Sequence, residues 1–400
     1  MGSAFRTVLG DHTAYAHPGV AALFGDRGEG AAYLRALEGG NAAEMRSIVV
    51  WDGETPVAAA SLLWFPFDLV AEAPRWRPAV TALRRVRSHT GYLRLAGLGG
   101  LHTWEPQIVI SGRLDPAARD AALLALLEVA EAEADRRRAH CHYMMDVSAE
   151  DAVWLGPLLR GRGYLPMAGA PMAWQRLPYA SIEAYVASRS QNLRYNMRRK
   201  FKRAAAEIEV VETHVVDAAL EAEIEALSLS QMAHARVSLG GIEMQPTGYY
   251  GRHAALAEVT VLLYRLAGRT IGYCFMFEDG EVLYAKTMGL IWPEATDYNL
   301  VHYNLYKVIE TAIRRRKPWV ILGQGGYPTK LLFGARLVRR TSFIKGRGLL
   351  APLLPLAANR LDDFNPAAAW PETREAANYF DADPARPQPP VKRIWVPAAS

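Results

Sequence analysis

Cysteine is scarce in this chain: Cys141 and Cys274 are the two in 400 residues. They stand far apart, each inside a strand-like stretch. That excludes a disulfide framework and fits a reducing compartment. No run of about 18 uninterrupted apolar residues occurs, so no membrane-spanning helix is expected. The start, "MGSAFRTVLGDHTAYAHPG", lacks the long apolar core of a signal peptide, and a cytoplasmic protein is expected. Charge of one sign is barely in excess, at +5. Such a balance leans toward anionic ligands and gives no reason to expect DNA. Several site signatures are missing too. There is no Walker A loop, no Rossmann fingerprint and no Gly-x-Ser-x-Gly elbow. No His/Glu cluster has metal spacing. His140 and His142 in "HCH" share a strand face but lack a third ligand, so no metal is expected.

What is present is an ordered globular composition, half hydrophobic and 22% charged, long enough for two domains. A weak internal repeat organises it. "RSIVVWDGETPVAAASLLWF" reads as strand, tight turn at Asp52-Gly53, strand. "VTVLLYRLAGRTIGYCFMFEDGEVLYAKTMGLIW" reads likewise, with turns at Ala267-Gly268 and Asp279-Gly280. Each hairpin is followed by a long helix ending in three arginines. The first opens at Asp115-Pro116, an N-cap with proline at the first helical position; the second starts near Asp297. Each helix leads into a short strand ("HCHYMMDV", "PWVILGQ"), a shorter helix and a last strand. Residues 66 to 100, rich in Arg and Trp, read as an insertion in the first copy. The spacing predicts a mixed α/β sheet in two copies: an N-terminal domain over 1–178, a catalytic domain over 179–348, and a Pro/Ala-rich tail over 349–400. Parallel strands in such a sheet splay where the crossover begins, and ligands bind at the strand ends there.

The second half, with "DYNLVHYNLYKVIETAIRRR" and "ILGQGGYPTKLLFGA", resembles the Fem-like and BioF-like acyltransferases of the GNAT superfamily. The resemblance covers about 180 to 346. It implies two tandem GNAT-like folds, with a basic segment like "SRSQNLRYNMRRKFKR" opening the second. Ordinary GNAT enzymes carry an Arg/Gln-x-x-Gly-x-Gly/Ala turn that binds the pyrophosphate of acetyl-CoA. Here that position reads "IWPEATDYNLVHY", with no glycine after Gly289. Fem-like relatives also relax this turn, and some use aminoacyl-tRNA as donor.

The basic segment holds seven Lys or Arg and no acid. Leu193, Met197, Phe201, Ala204 and Ile208 recur at helical spacing and face the protein. Arg194, Arg198 and Lys202 form a comb at i, i+4, i+8, suited to donor phosphates or to a solvated face. In the glycine-rich turn, missing side chains allow close approach to Gly325. There Gln324 orients a carbonyl, Tyr327 donates a proton, and Lys330 lies near any anion at the next helix start. Upstream, Tyr284 and Lys286 share a strand face. Asp297 stands at a helix start, with Tyr298 and His302 on one helical face and Tyr303 beside them. Asp297, His302, Tyr327 and Lys286 are the candidate catalytic groups. The comb, Gln324, Gly325 and Lys330 are the candidate donor site. His234, Arg236, Glu243, Tyr284, Tyr298 and Tyr303 are the candidate acceptor site.

The expected activity is N-acyl transfer to a small amine by direct attack, because no activated Ser or Cys nucleophile is evident. The activated carbonyl enters between "VLYAKTMG" and "WVILGQG", where a backbone N–H polarises it. No cofactor is held permanently. The co-substrate is acyl-CoA or aminoacyl-tRNA; a charge of +5 is modest for tRNA and favours acyl-CoA. Two alternatives stand beside this: a Fem-like transferase taking tRNA as a partner, and a non-catalytic RNA- or partner-binding module on the same fold.

Overall fold

The computed structural model describes residues 5–25, 27–37, 44–68, 77–87, 90–99, 103, 106–235, 248–352, 354, 390 and 392–395. The first unit comprises β1 (Arg6–Gly10), α1 (Pro18–Phe24), α2 (Ala31–Ala36), β2 (Glu44–Asp52), β3 (Thr55–Asp68) and α3 (Arg77–Arg84). It continues with β4 (Tyr92–Leu98), β5 (Ile108–Ile110), α4 (Pro116–Arg136), β6 (Cys141–Val147), α5 (Ala149–Gly161) and β7 (Leu165–Arg176). The second unit opens with α6 (Ile182–Ala187) and α7 (Gln191–Glu207), then β8 (Ile208–Thr213), α8 (Ala218–Ala235), α9 (Tyr249–Ala254) and β9 (Val259–Leu266). After these come β10 (Arg269–Asp279), β11 (Val282–Leu290), α10 (Glu294–Asp297), α11 (Leu300–Arg314), β12 (Trp319–Gly323), α12 (Tyr327–Leu332) and β13 (Arg336–Gly346).

Local chemistry places these elements. The Asp115 carboxylate accepts from the Ala118 N–H at 2.8 Å and starts α4 with Pro116 at its first position. Ser190 Oγ caps α7 at the Leu193 N–H, 3.3 Å away, and Leu193, Met197, Phe201 and Ala204 are its buried line. In the second unit the helix expected from Asp297 begins at Leu300, because the short α10 and left-handed Asn299 precede it.

Among the described residues one mixed sheet runs in the order β1-β2-β3-β4-β6-β13-β7-β12-β11-β10-β9-β8, with β5 paired to β3. Read from either end, the order is the same unit: strand, three-strand meander, parallel return strand. The sheet-and-crossover unit therefore occurs twice. The last strands are exchanged between the units. β13 pairs with β6 and β7, while β7 pairs with β12, each antiparallel. Trp174 of β7 packs on Trp319 of β12 with ring centroids 5.1 Å apart.

The stretch expected as an insertion holds β4, which lies parallel to β6 in the first unit. Its charged flanks had masked a strand whose second half, "LAGL", is buried between β3 and β6. Gly97 sits there because the backbones nearly touch: a Cβ would lie 1.9 Å from the Tyr143 carbonyl oxygen. We expect Gly97→Ala to cost at least about 2 kcal/mol, read as a lowered urea midpoint.

The apolar faces of the second unit separate cleanly. Cys274, Met276 and Leu283 pack under α7 and α11. Tyr273, Phe275 and Tyr284 pack on the opposite face with residues of α1, α2, α8 and α9. Among the described residues no helix is long and apolar enough to cross a membrane, and no cluster of His, Cys, Asp and Glu could hold a metal ion.

Candidate active site

β11 and β12 start as a parallel pair and part company. Their register runs through Val282↔Trp319, Leu283↔Val320 and Tyr284↔Ile321, and ends there. Beyond it lies a cavity of about 480 Å³. The strand edge Ala285–Met288 borders it on one side, and Leu322 with Gln324–Gly326 on the other. It reaches both faces of the sheet. Val301, Asn304, Leu305 and Val308 of α11 line one end; Gln231 and His234 of α8 line the other. Over seven residues α11 rises about 10 Å, so the cavity is longer than a single small group needs.

Lys286 is an extra residue in β11. Its neighbours pair as Phe275↔Thr287 and Met276↔Ala285, leaving Lys286 unmatched in the register. Such a bulge bends a strand and redirects its side chain. Lys286, 6% exposed, turns to Glu29, 7% exposed, in the turn between α1 and α2, and pairs with its carboxylate. The Glu29 carboxylate also accepts from Gln107 Nε2 at 3.4 Å. One wall of the cavity is thus anchored to the first unit.

The opposite wall is the glycine-rich turn. Gly323, Gly325 and Gly326 have φ of 74°, 71° and 55°, a left-handed run that favours glycine. A Cβ on Gly325 would meet nothing within 4 Å, so the backbone there faces open space. Gln324 Nε2 donates to Asp146 Oδ1 and to the Ala170 carbonyl, both at 3.0 Å. Its amide is therefore engaged by the first unit, although the residue borders the cavity. Lys330 lies on α12 and also lines the cavity. Its Nζ donates to the Gly323 and Gln324 carbonyls at 3.1 and 3.0 Å, with no carboxylate among its hydrogen-bond partners. Burial without a counter-charge pulls its pKa down to about 7. A neutral amine that donates two N–H bonds keeps one lone pair free. Cys274 also lines the cavity, with its thiol pushed up to about 12 by burial, which makes it a poor nucleophile.

The remaining sequence candidates fall in different places. His234 borders the α8 end of the cavity and stacks on Trp292, ring centroids 3.4 Å apart at 8°. Tyr327 is buried and its hydroxyl donates to the Pro171 carbonyl at 2.8 Å, with its pKa raised to about 12 by burial. Tyr284 is buried in the core beside Phe277. Tyr298 donates to Glu207 Oε2 at 2.5 Å and accepts from Arg203. Asp297 is exposed at the end of α10. His302 lines a separate small cleft with Lys200 and Phe333; burial, then Lys200, lowers its pKa. Arg194 bends back to the Ala187 carbonyl at 2.9 Å. Arg198, Lys202 and Tyr303 border a cleft between α7 and α11. Arg236 and Glu243 lie outside the described residues.

Sequence reasoning missed Glu29, Asn304 and the bulge at Lys286. Asn304 is 5% exposed; its Oδ1 accepts from Tyr264 OH at 2.7 Å, and its Nδ2 contacts Met288 Sδ at 3.3 Å. An asparagine inside an otherwise apolar helix face was the one available signal.

Residues 191–331 match the family model of the acetyltransferase (GNAT) domain. The likeness to that family is confined to this stretch of the chain. The matched segment runs from α7 through α12 and contains the splayed strands and Lys330. A search of the curated proteins finds no sequence match. Among solved structures, the chain is similar to FemX (11% identity, 79% of this chain and 90% of that one, TM-score 0.49). It is similar to a tandem GNAT protein from the clavulanic acid biosynthesis pathway (12%, 86% and 99%, TM-score 0.47). A third is the C-terminal domain of a putative lysylphosphatidylglycerol synthetase from Agrobacterium fabrum (10%, 87% and 95%, TM-score 0.49). At these scores the three likenesses carry no weight for activity.

Proposed function

We propose that this protein transfers an acyl group from an acyl-CoA to an amine in the cavity between β11 and β12. The observation that carries the reading is the parting of these strands after Tyr284↔Ile321, with Lys330 inside the opening. The donor arm lies along the apolar α11 end, and the amine enters from the α8 end beside His234. The thioester carbonyl rests between the bulge at Lys286 and the bare backbone of Gly325. Unpaired backbone N–H groups on the parted strand edge polarise it. The amine nitrogen attacks, the C–N bond forms and the C–S bond breaks. Lys330 takes the proton released by the amine, and the thiolate leaves with the electron pair and is protonated in turn. Holding both partners in one cavity supplies much of the acceleration. The poor nucleophilicity of Cys274 supports direct attack over an acyl-enzyme.

A second reading takes aminoacyl-tRNA as donor. The exposed Arg198, Arg199 and Lys202 on α7 favour it. One experiment separates the two. The protein is incubated with a panel of amines and either CoA thioesters or charged tRNAs, and new amide is sought by mass. Amide from thioesters that survives ribonuclease supports acyl-CoA. Amide only from charged tRNA, lost with ribonuclease and steeply with salt, replaces that donor. No amide from any donor removes the reading.

A further inference from the structure

α7 and α11 enclose a second cleft, of about 390 Å³, apart from the cavity that holds the reacting carbonyl. It lies across α11 from the cavity. Val301, Asn304, Leu305 and Val308 face the cavity, whereas Tyr303, Tyr306 and Lys307 face the cleft. At 100° per residue these are different sides of one helix. The donor comb expected from sequence therefore does not reach the reacting carbonyl directly.

The cleft has two chemistries. Its floor is aromatic: Phe201 packs against Tyr303 and Tyr306 with centroids 5.5 and 5.3 Å away, and the two tyrosine rings are 12° from parallel. Its rim is cationic. Arg198 and Lys202 stand one turn apart on α7, where like charges repel, and neither has an acidic partner among the described residues. Lys307 adds a third cation, paired with Glu310 at 2.7 Å. Burial raises the pKa of both tyrosines, so their rings stay neutral beside an anion. A bare phosphate would use the rim and leave the rings idle; an apolar ligand would leave Arg198 and Lys202 uncompensated. We propose that this cleft binds a nucleoside phosphate, its base on Tyr306 and Phe201 and its phosphate between Arg198 and Lys202. The ligand is either the nucleotide end of the donor, reaching around α11, or a free nucleotide.

The test is calorimetry on the full chain with AMP, adenosine and inorganic pyrophosphate. Saturable AMP binding is expected, weakened at least about ten-fold in R198E/K202E. Tyr306→Ala should weaken AMP and leave pyrophosphate unchanged. Both α7 positions are exposed; should the reversal fail to fold, R198Q/K202Q takes its place. No saturable AMP binding, AMP binding indifferent to these changes, or pyrophosphate bound as tightly as AMP would each overturn the assignment. Competition separates the sources. If AMP displaces CoA, the ligand is the donor's own nucleotide; if CoA binding is indifferent to AMP, it is a free one.

Discussion

Lys330→Met is expected to lower kcat by about 10²–10⁴-fold, the span typical of losing a positioned proton acceptor, with little change in KM for the donor. The pH profile gives the sharper readout. The wild-type rate should climb through about pH 7, where the amine loses its proton, and level off above. The variant should lose that limb. The same substitution should act on stability in the opposite direction. Unfolding returns Lys330 from about 7 to the ordinary lysine value of 10.5. Between those values the unfolded chain holds one more proton than the folded one. Wild-type stability therefore rises as pH climbs from 7 toward 10.5, and K330M should be flat across that window. At pH 7, replacing this half-buried amine by an apolar chain should raise the melting temperature. A dead but stabilised variant is the signature of a functional group held at a structural cost. A variant that keeps its rate, or loses rate and stability together, assigns Lys330 a packing role instead.

Glu29→Ala should lower stability by about 3–5 kcal/mol, because it leaves the Lys286 ammonium buried without its carboxylate. Lys286→Met alone should cost a similar amount through the stranded carboxylate. The double variant E29L/K286M should recover most of the loss, since an apolar pair of similar volume often replaces a buried ion pair without penalty. Urea midpoints of the wild type and the three variants measure this. Additive losses would show that the two groups do not depend on each other. Because the pair joins the turn before α2 to the bulge in β11, its loss should loosen the cavity wall as well as the fold.

Much of the architecture was legible because its signals are local. The tight turn expected at Asp52-Gly53 falls one residue later, at Gly53-Glu54, between β2 and β3. Asp115-Pro116 opens α4. The apolar line Leu193, Met197, Phe201, Ala204 is buried as spacing requires. β4 was harder to read because Arg and Trp surround it and its partner β6 lies beyond a 21-residue helix. The site was legible in part. The glycine run and Lys330 announce a turn that a ligand can approach. Asp297, Tyr298 and His302 are near the cavity in sequence but point elsewhere, since a helix sends neighbouring residues to different sides. Arg194 belongs to a periodic comb, yet its guanidinium finds the Ala187 carbonyl first.

The amino-acid order alone determined the hairpins, the helix caps and the buried helix faces, each set by neighbours within a turn or two, and showed the duplication as a recurrence of those local signals. Only the tertiary structure decided three things: that β7 and β13 change places, that β11 bulges at Lys286, and that Glu29 meets that lysine across 257 positions of chain. Sheet pairing and buried charge are settled between surfaces that meet only after collapse. No local pattern records which distant strand or carboxylate will be the partner.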